Sequence, residues 1–121
     1  MIDFQLHETM PGYRVTGRNC GADVPVGTVF TVLCRRDFPG TAPGEATISP
    51  EAAFVSDISL RLEAVEFYRR SVDHIPSGHT AMLTLSGAGF DTITEVLSTA
   101  PERTYYSLCV SHESVLNIRN A

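Results

Sequence analysis

A chain of 121 residues is long enough to bury one sizeable core and short enough to form a single domain. With 43% apolar and 19% charged residues its composition is that of a globular protein, which excludes general disorder, and no apolar run is long enough to span a bilayer. The net charge of −5 works against non-specific nucleic-acid binding, which depends on neutralising phosphates.

The leading residues MIDFQLHE lack the basic start and apolar stretch of a signal peptide, so the expected location is cytoplasmic. Further on, Tyr13, Val15 and Gly17 alternate with Arg14, Thr16 and Arg18, the period of a half-buried strand. Pro25-Val26-Gly27 reads as a turn, and the β-branched and aromatic run Thr28 to Leu33 as the next strand. Residues 35–53 carry three prolines and two glycines and read as a long inserted loop, with Ser49-Pro50-Glu51 as the start of one helical turn near 50–54. Between 54 and 70, Ile58, Leu60, Leu62 and Ala64 share one face, after which Val65 and Phe67 take over. That one-residue slip predicts a bulge at Ala64-Val65. Thr80 to Leu85 is a further strand. A short helix is predicted near 90–96 with Asp91 as its N-cap, then strands at 104–110 and 114–118 in a C-terminal extension from 102 to 121, across the turn Ser111-His112-Glu113.

Many short strands and no sustained helical period predict an all-β fold, a small closed barrel of six to eight strands. Val15, Val29, Val32, Ile58, Leu60, Leu62, Leu83 and Leu85 are expected in the barrel interior or under its covering loops, where Leu60→Ala would cost about 2–5 kcal/mol.

Three cysteines, Cys20, Cys34 and Cys109, are widely spaced and form neither a disulfide framework nor a zinc motif. Cys34 and Cys109 sit in apolar runs and are expected to be buried and inert, whereas Cys20 lies in a polar loop. All nine basic residues are arginine. Either the coding genome favours arginine, or its planar forks form a recognition patch for carboxylate or phosphate.

The stretch Asp73-His74-Ile75-Pro76-Ser77-Gly78-His79 is the densest collection of reactive residue types. A metal site would need a further ligand, with His7, Asp73 and His112 distant or unplaced, and a catalytic triad from Asp73, Ser77 and His79 would have to converge from a single turn. The expectation is therefore a surface turn, with no metal, no cofactor and no catalysis.

Two segments carry a resemblance. GYRVTGRNCGADVPVGTVFTVL (residues 12–33) and LEAVEFYRRSVDHIPSGHTAMLTLSG (residues 62–87) resemble, in order and spacing, the second domain of translational GTPases such as elongation factor Tu. The likeness covers roughly residues 12–100. It implies a small closed β-barrel of the translation-protein type, with Pro76-Ser77-Gly78 at a turn where Gly78 supplies a positive φ. No phosphate-cradling GxxxxGK[ST] segment occurs, so the chain resembles a stand-alone domain without its GTPase partner.

In the family, the glutamate and arginine of a V-E-x-x-R segment help line the pocket for the aminoacylated 3′ end of tRNA. The resemblance carries those positions to Glu66 and Arg69, with Tyr68 between them. Arg18 on a neighbouring strand and the 35–53 loop would flank them. The function implied is a non-enzymatic binding module whose partner is a protein or a translation component. One alternative is a small inhibitor or toxin-neutralising protein covering a basic partner, which the acidic charge suits; another is binding of a tRNA or RNA 3′ end. The expected assembly is a monomer or weak homo-oligomer with no membrane partner.

Overall fold

The computed structural model describes residues 2–37, 53–101 and 103–110. Strand β1 (Phe4–Met10) turns at residues 11–13 into its antiparallel partner β2 (Arg14–Asn19). The two-residue strand β3 (Val24–Pro25) leads through a turn to β4 (Val29–Asp37). The longest strand, β5 (Ala53–Phe67), forms a tight hairpin with β6 (Arg70–Val72). Then follow β7 (His74–Ile75), β8 (Thr80–Ala88), helix α1 (Phe90–Thr99) and β9 (Thr104–Cys109).

Six of these strands pair in the order β4-β9-β1-β2-β8-β5, and β5 pairs back onto β4, so the sheet closes into a ring. Every pairing is antiparallel. The fold is therefore all-β and barrel-like, with one short helix. Closure leaves none of the six staves with an unpaired edge along its whole length, the feature that makes open sheets prone to aggregate. β6 extends β5 as a short ribbon, and β3 pairs with β7 in a separate two-stranded sheet.

The core fills the ring. Phe4, Val15, Phe30, Leu33, Leu60, Leu62, Leu83 and Leu108 are fully enclosed, one or two from each stave. In β5 the predicted slip is present: Ile58, Leu60 and Leu62 face inward, Glu63 and Ala64 both face out, and Val65 turns back in. The register against β8 shifts between Leu62 and Ala64, which places the bulge at Glu63. Gly17 is a point of close approach between β1 and β2, because a Cβ there would lie 2.5 Å from the Phe4 ring.

Four expectations need correction. Val29 is 40% exposed, opposite Arg61, and Phe30 takes the interior position opposite Leu60. A register shift between Phe30 and Val32 then reverses the parity of β4. Leu33 follows Phe30 into the core, and Val32 packs on the reverse face with Cys34 and Cys109. Asp91 is not the N-cap: Gly89 (φ 110°) holds that position and Asp91 lies in the first turn. Residues 35–37 belong to β4, and Ala53 and Phe54 belong to β5 rather than to a helical turn; 38–52 lie outside the described residues. The predicted strand at 104–110 is β9, a stave between β4 and β1. Residues 111–121, including His112 and the strand expected at 114–118, lie outside the described residues.

Candidate functional site

The segment from Asp73 to His79 is held as structure. Asn19, fully buried at the end of β2, donates from Nδ2 to the carbonyls of Ala22 (2.9 Å) and Ile75 (3.0 Å) and accepts the Gly21 amide at Oδ1 (3.0 Å). Its backbone amide and carbonyl bond His79 O and Gly78 N. Asp23 accepts the Ser77 amide at 2.7 Å, and the Ser77 hydroxyl donates to Gly21 O at 2.6 Å. Gly78 adopts φ 80°, the left-handed turn conformation that its sequence position predicted.

Asp73, Ser77 and His79 do not converge. Asp73 pairs with His74 at 2.8 Å, Ser77 is engaged with Gly21, and the His79 ring stands edge-on to Phe67 with centroids 5.1 Å apart. The hydrogen bond to Asp73 raises the His74 imidazole above its ordinary value, and the same bond lowers the Asp73 carboxyl. Among the described residues no group of three or more His, Cys, Asp or Glu side chains is placed to hold a metal ion.

The residues singled out around the Val65-Glu66-Phe67-Tyr68-Arg69 segment fall at one end of the barrel. Tyr68 and Arg69 are the two central residues of the β5–β6 hairpin, between the paired Phe67 and Arg70. Both adopt positive φ, 52° and 61°. A two-residue hairpin of this hand normally uses Asn-Gly, because side chains with a full Cβ are strained in the left-handed region. Here the strained position holds a tyrosine ring that is 80% exposed. Phe67 meets it edge-on at 4.4 Å and also meets His79 edge-on at 5.1 Å, giving a run of contacts among three rings: Tyr68, Phe67, His79. Phe67 and His79 join these contacts without being marked in the sequence. The alternation that marks Phe67 as strand gives no sign that a ring twelve residues later meets it.

Glu66 and Arg18 flank this end rather than joining the ring contacts. Glu66 lies opposite Met82 and Arg18 opposite Thr80, both on exposed positions either side of β8. The strands bearing the two arginines were expected to pair directly, but β8 runs between them. No hydrogen bond or ring contact among the described residues joins Arg18 to Glu66, Tyr68 or Arg69. At the base of the hairpin a shallow groove of about 430 Å³ is lined by Val26, Glu63, Ala64, Val65, Ser71, Val72 and Asp73.

The geometry thus defines an all-β barrel whose one end displays aromatic and guanidinium groups on a strained hairpin. No family model, curated protein or solved structure matches the chain. No helix among the described residues is long and apolar enough to cross a membrane.

Proposed function

We propose that the protein is a non-enzymatic binding module that takes its ligand on the barrel end built from Tyr68 and Arg69, flanked by Glu66 and Arg18. The reading rests on one observation: two non-glycine residues held at positive φ in a tight hairpin, one of them a tyrosine with most of its surface exposed. Strain of this kind costs on the order of 1–3 kcal/mol per residue and persists where the conformation serves a purpose. An exposed ring beside a guanidinium is the composition of a binding hot spot.

The finer reading is a relative of the second domain of translational GTPases, with a translation component as ligand. Its support is the closed ring of six strands and the pairing of β2 with β8, the strands that carry the two resembling segments. The chemistry of the rim favours an RNA 3′ end: a base stacks on Tyr68 and the Arg69 fork meets a phosphate, while Glu66 accepts from ribose or base donors. The test is fluorescence anisotropy with a short single-stranded RNA ending in CCA. Tyr68→Ala with Arg69→Ala is expected to weaken binding at least about tenfold, and affinity should fall steeply with salt. Equal affinity in wild type and the double variant would reject the reading.

A second reading draws on the net charge of −5 and on the groove edged by Glu63 and Asp73. Those features favour a basic protein partner, as an inhibitory or neutralising protein would have. In that case the RNA fails to bind, and Glu63→Gln with Asp73→Asn weakens capture of an arginine-rich peptide.

A further inference from the structure

Cys34 and Cys109 lie on adjacent staves at the closure of the barrel. Val32 is opposite Cys109 and Cys34 is opposite Ser107, so the two cysteines are diagonal neighbours on the face of the β4–β9 ladder that points away from the main core. Their sulfurs are 3.2 Å apart and both residues are buried, at 2% and 0% exposure. A single ion pair, Arg36 Nη1 to Asp3 Oδ2 at 2.9 Å, closes the same face. Arg36 follows Cys34 by two positions on β4, and Asp3 precedes Phe4, whose partner is Leu108, so its register brings it beside Cys109. Among the described residues, the buried Arg36 Nε and Asp3 Oδ1 have no hydrogen-bond partner. Two thiols and an incompletely satisfied guanidinium thus share one enclosed patch.

We propose that Cys34 and Cys109 are a reversible oxidation site that forms an intrachain disulfide on reaction with a hydroperoxide. The Cys34 thiolate attacks one peroxide oxygen, the O–O bond breaks, and Cys34 becomes a sulfenic acid while the other oxygen leaves and is protonated, to an alcohol or, from hydrogen peroxide, to water. The Cys109 sulfur then attacks Cys34 Sγ, the S–S bond forms, and the sulfenic oxygen departs as water with the Cys109 proton. Overall two thiols are oxidised and one hydroperoxide is reduced; for hydrogen peroxide the products are the disulfide and two waters.

The neighbouring charges assign the roles: Arg36 lies two positions from Cys34 on the same face of β4, and Asp3 lies beside Cys109. The hydrogen bond shared with Cys109 lowers the Cys34 thiol, a shift that the Arg36 charge reinforces and that burial and Asp3 oppose. That same bond, with burial, raises Cys109, which keeps its proton until the second step. Cys20, on the exposed side of the protein, is raised by partial desolvation and by Asp3 and has no second cysteine beside it among the described residues. Forming the bond requires the sulfurs to close from 3.2 Å to roughly 2.0 Å. The link would join β4 to β9 and close a loop of 75 residues, fastening the last stave into the ring.

The test uses the full chain treated with hydrogen peroxide, with digestion and mass spectrometry under non-reducing conditions. The folded protein is expected to lose two hydrogens and to yield the Cys34–Cys109 cross-linked peptide in at least about tenfold excess over any Cys20 pairing. In urea the three cysteines should pair without that preference. The oxidised protein should melt higher, and dithiothreitol should reverse both changes. Cys20→Ser should retain the link and Cys34→Ser should lose it. Oxidation confined to Cys20, sulfinic acids without a cross-link, or equal pairing in the folded and unfolded chain would overturn the proposal. These readouts come from the wild-type chain, so they hold even if a cysteine variant fails to fold. They are also independent of the hairpin.

Discussion

Asn19 is buried without being apolar, and both polar atoms of its side chain are occupied by backbone groups of two different segments. A buried polar group is tolerated when it is satisfied and expensive when its partners are left without it. Asn19→Ala would take a hydrogen-bond partner from the Ala22 and Ile75 carbonyls and from the Gly21 amide together. The expected cost is about 2–3 kcal/mol in urea denaturation, far above the usual effect of a polar substitution beside a turn. A loss within about 0.5 kcal/mol would mean that the Asp73–His79 segment is held by something other than this side chain. Nothing in the sequence marks Asn19, because asparagine after a strand reads as an ordinary turn residue. The histidines stood out in the letters, yet His74 and His79 serve an exposed ion pair and a ring contact.

Among the elements, the β5–β6 hairpin sets stability against display. Its central residues are Tyr68 and Arg69 at positive φ, where Asn-Gly would be relaxed. Replacing the pair, Tyr68→Asn with Arg69→Gly, should raise stability by about 1–2 kcal/mol while removing the ring and the guanidinium from the barrel end. The protein should therefore melt higher and bind worse, the two readouts moving in opposite directions. A lower melting temperature would show that the turn carries no relievable strain. The strands themselves were legible where one face is apolar and the other polar, as in β5, whose slip was located to within a residue or two. They were not legible where both faces are apolar. In Val29-Phe30-Thr31-Val32-Leu33 the pattern gives no unique parity, so neither the outward side of Val29 nor the shift after Phe30 is marked in the sequence.

For the whole molecule, closure is the property that the local pattern could suggest but not route. Alternation implies a half-buried sheet. That β9 inserts between β4 and β1, and that β8 separates β2 from β5, depends on contacts between segments tens of residues apart. The same routing brings His79 to Phe67 and sets Arg18 and Glu66 on opposite sides of β8, so the shape of the candidate site follows from the topology. The central claim is that function resides on this barrel end. It is tested most directly by capturing partners from a cell lysate with the wild-type chain and with Tyr68→Ala/Arg69→Ala, comparing recovery by quantitative mass spectrometry. A partner is expected whose recovery falls at least about tenfold in the double variant, a loss of about 1.4 kcal/mol or more, while the melting temperature does not fall. Equal recovery of the same partner by both proteins would contradict it.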